Sequence, residues 1–258
     1  MRKLLLTLVI CIMLFSSIRV YSEEKIPIND KPSVLDIGML AGAGISALAI
    51  ELGKNYIGPF HPYWTGQNVL DVSMREMIVW NSNSLKTATT VSDVTILLLA
   101  SQVAWIPLFM KAPYLNGVFV LSESLIYTFL ISDVIKMVSG RQRPYSYYGT
   151  MASKGVDDNY SFISGHASMA FAMATTGSLL LADQFPELKI LIYTLSFLAA
   201  GATAYFRMAG DQHYFTDVLS GAALGAGMGY LFYAWRKPWI QIQSTADGGI
   251  MIQKSIYF

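Results

Sequence analysis

The chain has 258 residues, 53% of them hydrophobic, 13% aromatic and 14% charged, whereas a soluble globular domain carries nearer a quarter charged residues. Eighteen Lys and Arg against 17 Asp and Glu leave a net charge of +1 with no basic run, which excludes a nucleic-acid footprint. Disorder is excluded by the same hydrophobicity, and a mean hydropathy of +0.43 predicts an all-α, polytopic membrane bundle of about six helices.

Arg2 and Lys3 precede the apolar stretch Leu4 to Phe15, and residues 1–22 read as a secretory signal peptide, with an uncleaved anchor as the alternative. Cleavage after Ser22 removes Cys11, the single cysteine, and with it disulfides, thiolate nucleophiles and cysteine-bound zinc. Residues 23–33, with Pro27 and Pro32, form a polar linker. Ile37 to Ile50 is short between Asp36 and Glu51 and suits a half-inserted helix as well as a full span. Leu52 to Thr90 is mixed, with an amphipathic Val69 to Trp80 patch predicting an interfacial helix. Clear spans follow at Val94 to Met110, Leu115 to Ile135, Ala167 to Ala182, Ile190 to Phe206 and Val218 to Trp235.

Gly221, Gly225 and Gly229 recur every four residues, as do Gly38 and Gly42, and both sets predict faces for close helix packing. The tail 238–258 alternates through Trp239 to Gln243, turns at Asp247-Gly248-Gly249 and resumes at Ile250, a short β-hairpin pattern. The membrane domain is thus expected over residues 34–237.

The scarce polar residues fall into three clusters. Lys136 ends one span, and Arg143-Pro144 follows it. Ser164-Gly165-His166 stands immediately before another span, where free backbone N–H groups and the helix dipole favour an anion. Arg207 closes the next, and His213 and Asp217 follow six and ten residues on. Antiparallel helices bring all three clusters to one membrane face. Three cations beside a helix N-terminus suit a multiply charged oxyanion, phosphate above all. His213 with Asp217 at i, i+4 fits a nucleophile or base whose second ring nitrogen is held by a carboxylate. His166 is placed to protonate a leaving oxygen, and no carboxylate cluster stands ready for Mg²⁺. The chemistry expected is phosphoryl transfer through histidine without a metal or other cofactor.

Lys136-(six residues)-Arg143-Pro144, Ser164-Gly165-His166 and Arg207-(five)-His213-(three)-Asp217 together resemble the three-part signature of the type 2 phosphatidic acid phosphatase, or PAP2, superfamily. The resemblance implies that Lys136, Arg143 and Arg207 bind phosphate while Ser164 and Gly165 hold its oxygens. It also implies that His213 forms a phosphohistidine, Asp217 orients it, and His166 protonates the leaving group. Ile163 stands where a proline usually precedes the Ser-Gly-His, and Phe206 where a serine usually precedes the arginine. The first loses a turn restraint and the second a hydroxyl within reach of phosphate.

The expected function is hydrolysis of a lipid phosphate monoester or diphosphate, such as phosphatidate, phosphatidylglycerol phosphate, an isoprenyl diphosphate or a lipid A phosphate. Its partners are then that substrate and the membrane lipids. The alternatives are a catalytically weak phospholipid-binding or transport protein and a vanadate-dependent haloperoxidase. Taken singly, Arg141 reads as snorkelling to the interface, and Asp93, Glu123 and Asp133 as facing the bundle interior. Asp211 is a candidate arginine partner, and His61 lies in an aromatic loop outside every cluster. The aromatic loop Tyr145 to Phe162 suits a headgroup cover or an interfacial anchor equally. Arg236-Lys237 after the last span and the family's usual arrangement favour a bacterial-type cell membrane with the motifs on the periplasmic face.

Overall fold

The structure is a computed structural model that describes residues 32–110 and 114–236, with the backbone of 240–244 and 250–254. The signal-peptide and anchor readings fall outside the described residues, as does nearly all of the linker. Helix α1 (Val34–Ile57) opens on a capping box in which the Ser33 hydroxyl accepts from Asp36 N while Asp36 accepts from Ser33 N. At 24 residues it is long and apolar enough to cross a membrane, and so extends well beyond Ile37 to Ile50. The charges that suggested an earlier end are placed in its last turns, where Lys54 pairs with Glu51.

An interfacial-type helix, α2 (Val69–Ile78), follows, capped by Asn68, whose side-chain oxygen accepts from Asp71 N at 2.8 Å. Helix α3 (Leu85–Ala100) starts nine residues before the expected Val94, and with the short turns on either side of it gives one 28-residue apolar segment, Ser82–Phe109. Thr89 and Ser92 made its first turns look like a connection, and Thr95 follows them as a third hydroxyl. Their hydroxyls return to carbonyls of Leu85, Thr89 and Ser92 in the same helix, so they do not interrupt it.

The remaining long helices are α4 (Tyr114–Ser139), α5 (Gly165–Gln184), α6 (Lys189–Ala209) and α7 (Phe215–Arg236). Five described segments meet the length and apolarity of a membrane crossing: α1, Ser82–Phe109, α4, Pro186–Ala209 and α7. Helix α5 does not, because Ala, Ser, Thr and Gly fill it. It is the central rod, packed against α3, α4, α6 and α7 and shielded by them from lipid.

Small residues set how closely these helices meet. A Cβ on Gly221 would lie 2.6 Å from the Ser164 carbonyl, one on Gly229 2.6 Å from the Ala172 carbonyl, and one on Gly225 would collide with the Ser168 carbonyl. The glycine face of α7 therefore lies directly on α5. Gly38 and Gly42 do not behave this way: a Cβ on either meets nothing within 4 Å. The packed face of α1 is instead Ala43, Ala47 and Ile50, set against Tyr127 and Leu130 of α4.

At the end of the bundle away from the motifs, Arg236 donates to both carboxylate oxygens of Glu123 and to Asp36 at 3.1 Å, tying α7, α4 and α1 together. Beyond α7, β1 (Ile240–Ser244) pairs antiparallel with β2 (Ile250–Lys254), Ile242 opposite Ile252. That is the hairpin the alternation predicts.

Candidate active site

The end of α4, the start of α5, the end of α6 and the start of α7 meet at one end of the bundle. Ser164 is the N-cap of α5 and fully buried, its hydroxyl accepting from Ala167 N at 3.4 Å. Its own N–H donates to the Asp217 carbonyl at 3.0 Å, so α7 fixes the entry of α5. The first N–H groups of α5 have no acceptor within the helix. Lys136 lies against them: a Cβ on Gly165 would come within 2.6 Å of its Nζ, which pairs with Asp133 at 2.8 Å. Glycine at 165 lets the ammonium and the helix N-terminus share one anion position.

Arg143 is buried and donates Nε to the Asp157 carbonyl at 2.8 Å and Nη1 to the Gln212 carbonyl at 3.1 Å. The same Nη1 lies 3.1 Å from His213 Nε2. His213 Nδ1 is 2.8 Å from the Ser161 carbonyl. A carbonyl only accepts and a guanidinium only donates, so these partners assign the proton to Nδ1 and leave a lone pair on Nε2. Burial and then the charges of Arg143, Arg207, Lys136 and His166 hold the imidazole well below its ordinary 6.5.

Asp217 Oδ2 stands 3.7 Å from His213 Nδ1, farther than the Ser161 carbonyl. It accepts instead from the Ser161 hydroxyl at 2.6 Å and from Tyr214 N at 2.9 Å. The expected direct Asp217–His213 bond is therefore replaced by a bridge: Asp217 fixes Ser161, and the Ser161 carbonyl orients the ring.

Arg207 is buried, with Nη1 3.3 Å from the Ser92 hydroxyl and 3.4 Å from Asp93. Its Nε, also buried, makes no hydrogen bond among the described residues, leaving a donor for an oxyanion. His166 Nε2 lies 2.9 Å from the same Asp93 carboxylate. All eight expected residues, Lys136, Arg143, Ser164, Gly165, His166, Arg207, His213 and Asp217, thus belong to one connected cluster.

Phe206 turns its ring to Trp80 and Tyr205, while Ser92 brings a hydroxyl to Arg207. Ile163 is buried. Arg141 does not snorkel: it is 1% exposed, stacked between Trp64 and Tyr214, and bonded to Asp71, Asp217 and Thr216. Asp93 faces the site mouth rather than the bundle interior, whereas Glu123 and Asp133 take neighbouring cations. Within the aromatic loop Tyr145 is fully buried and Tyr147 and Tyr148 are exposed.

Four contributors escaped the sequence. Asp71 and Arg75 share a face of α2 at i, i+4, a spacing visible there but without a known partner. Lys154 stands in the loop beside Gln212. Ser161 acts through its carbonyl, which no residue type announces.

Residues 117–241 match the family described as the PAP2 superfamily. That segment belongs to the PAP2 superfamily. It contains every expected site residue, while Asp71, Arg75 and Asp93 lie before it. A PA-phosphatase related-family protein of Dictyostelium discoideum is 29% identical over 126 residues, 44% of this chain and 46% of that one. The Lipid A 1-phosphatase of Porphyromonas gingivalis is 34% identical over 107 residues, 40% of this chain and 23% of that one. The chain thus spans less than half the length of either relative. Among solved structures, a transmembrane PAP2 type phosphatidylglycerolphosphate phosphatase from Bacillus subtilis superposes with a TM-score of 0.51 at 20% identity, over 78% of this chain and 94% of that one. The PAP2 fold and the apolar helices make this an integral membrane protein.

Proposed function

We propose that the PAP2 protein is a phosphatase acting on a lipid phosphate monoester or diphosphate through a phosphohistidine on His213. The observation that carries this is the Nε2 lone pair of a buried, neutral imidazole beside Arg143, in a site holding two further cations and a helix N-terminus. Phosphate bound by Lys136, Arg143, Arg207 and the α5 amides places phosphorus in front of Nε2. The Arg143 donor that rests on Nε2 turns to a phosphate oxygen, the Nε2–P bond forms, the bond to the lipid oxygen breaks, and that oxygen takes a proton from His166. Nε2 of His166 is held by Asp93, so Nδ1 is the nitrogen left to exchange that proton. Water then attacks phosphorus, passing its proton to His166, the P–Nε2 bond breaks, and inorganic phosphate leaves with His213 neutral again.

The exposed apolar surface of the spans favours a lipid substrate, and the names of the relatives supply three classes to test: phosphatidate, phosphatidylglycerol phosphate and lipid A phosphate. The site is assigned to the periplasmic face of a bacterial-type membrane, which activity of a reporter fused at residue 150 only in the cytoplasm would overturn.

The deciding experiment is phosphate release from a panel of lipid phosphates by purified protein in detergent with EDTA, comparing the parent with His213→Ala and His166→Ala. Release that survives EDTA and disappears in His213→Ala is expected. No release from any lipid, with variants indistinguishable from the parent, replaces the phosphatase reading with a lipid-binding one.

A further inference from the structure

Of the four cations around His213, two have no directly paired carboxylate among the described residues. Lys136 is matched by Asp133, and Arg207 by Asp93. Arg143 directs Nε and Nη1 to two carbonyls and His213. A fourth cation outside the family motif, Lys154, directs its Nζ to the Gln212 side-chain oxygen at 3.3 Å, on the residue next to His213. Among the described residues Lys154 forms no ion pair with a carboxylate; its other partner is the Tyr145 ring, 4.8 Å from Nζ. Arg143 and Lys154 therefore grip the carbonyl and the side chain of one glutamine, and among the described residues the carboxylates of Asp157 and Asp158 act on Lys154 only at a distance, with no ion pair to either cation.

This position is built rather than accidental. Asp158 accepts from Lys154 N at 2.9 Å, from the Tyr145 hydroxyl at 2.7 Å and from the Ser153 hydroxyl at 2.5 Å. Those bonds fix the loop from which the exposed ammonium reaches inward. Burial, Arg143 and Arg207 hold Lys154 below the usual lysine range, and the opposing pull of Asp157 and Asp158 does not offset them. An anion beside it relieves that repulsion.

We propose that Lys154 forms a second anion subsite at the mouth of the pocket, holding the non-transferred phosphate of a diphosphate-ended lipid while the terminal phosphate meets His213. The assignment rests on the phosphatase reading of the site and selects the diphosphate class within it. His213 Nε2 bonds to the terminal phosphorus, and the bond from that phosphorus to the bridging oxygen breaks. The electron pair stays on the departing lipid monophosphate, whose new charge Lys154 faces and to which His166 gives its proton. Water then releases inorganic phosphate, so diphosphate plus water yields monophosphate plus phosphate.

The test compares kcat/KM for farnesyl diphosphate and farnesyl monophosphate with the purified full chain, as parent, Lys154→Met and Lys154→Arg. Losing one charge-assisted contact lowers the diphosphate-to-monophosphate ratio about tenfold in Lys154→Met, and Lys154→Arg restores most of it. A ratio that stays at the parent value, or equal losses on both substrates, overturns the subsite. Calorimetric binding of inorganic pyrophosphate and phosphate to the same three proteins reads the subsite without turnover. If the parent hydrolyses neither farnesyl lipid, the phosphatase reading is decided by the wider lipid panel and the calorimetry decides the subsite alone. Weaker pyrophosphate binding in Lys154→Met then upholds the subsite, and equal binding removes it.

Discussion

Arg141 Nη1 lies 2.5 Å from Asp217 Oδ1, deep beneath the histidine it helps to place. Its Nη2 reaches Asp71 at 2.6 Å, so one guanidinium pairs with two fully buried carboxylates on separate helices. Deleting it strands both carboxylates, and breaking a buried pair costs about 3–5 kcal/mol. Arg141→Met is expected to lower the melting temperature in detergent sharply. Arg141→Lys keeps the charge but loses the two-pronged geometry and the stacking on Trp64 and Tyr214, and should fall between. Melting of Arg141→Met at the parent temperature would remove the arginine from the folding argument.

Helix α2 grips the catalytic loop on both sides of His213. Arg75 donates to both oxygens of Asp211 at 2.8 Å, and Asp71 accepts from Thr216 N and Thr216 Oγ1 at 2.9 Å. Asp211 has a φ of 56°, a backbone conformation that needs external support. Small displacements of a reacting group reduce rate more than binding. Arg75→Ala should therefore lower kcat by about tenfold and leave KM near the parent value. Asp211→Ala, which also loses the Thr150 hydroxyl bond, should lower kcat at least as much, and the double variant should lose less than the sum of the two, because both remove the Arg75–Asp211 contact. Additive losses would show that the two residues act separately.

The site was legible where chemistry depends on residue type and illegible where it depends on partners. Lys136, His166 and Arg207 stand out because polar groups are scarce in apolar helices. Asp71, Arg75 and Arg141 carry their meaning through contacts 60 or more residues away, which spacing does not reveal. Helix boundaries failed for a local reason: Thr89 and Ser92 read as polar, yet they satisfy their hydroxyls inside the helix. The glycine stripes show the same limit, since Gly225 and Gly42 look alike in sequence and only one meets a neighbour.

That contrast is testable within α7. A methyl at position 225 collides with the Ser168 carbonyl, whereas one at position 227 meets nothing within 4 Å. Overpacking costs about 1–3 kcal/mol where the neighbour gives way, and backbone on both sides resists more than a flexible side chain. Gly225→Ala should unfold at lower temperature than the parent and lose activity by moving α7, with Asp217, away from Ser164. Gly227→Ala should match the parent in both, since alanine also favours the helix. Equal behaviour of the two variants would contradict the close α5–α7 contact.

The pH dependence follows from His213. Its conjugate acid is disfavoured in the fold, so below about pH 6.5 the unfolded chain takes up a proton that the folded one refuses. The group therefore costs stability as pH falls through that value and costs nothing above it. The nucleophile correspondingly stays neutral, and kcat/KM should hold into mildly acidic solution. Arg143 is the largest charge acting on the ring after burial. In Arg143→Gln the acid limb should move to higher pH, with the substrate phosphate, whose second pKa is near 6, as a constant background. A limb that does not move, or moves down, would assign the titration to another group.

Asp93 supplies the last expectation, because it touches the proposed acid and a phosphate-binding cation at once. Its Oδ1 is 2.9 Å from His166 Nε2 and 3.4 Å from Arg207 Nη1. Half exposed, it contributes little as a surface ion pair; its value lies in holding the imidazole in one orientation. Asn at this position keeps the shape and loses the charge that steadies an imidazolium. Asp93→Asn should therefore slow substrates whose leaving group needs a proton, and spare those whose leaving group departs unaided. An alkyl lipid phosphate is of the first kind and p-nitrophenyl phosphate of the second. General acid catalysis contributes about 10²–10⁴-fold, so even partial misplacement should reduce the alkyl rate about tenfold relative to the aryl rate. His166→Ala should show the same selectivity in stronger form, since it removes the acid itself. If Asp93→Asn slows both substrates equally, the carboxylate acts through Arg207 on phosphate binding, and the rise should then appear in KM.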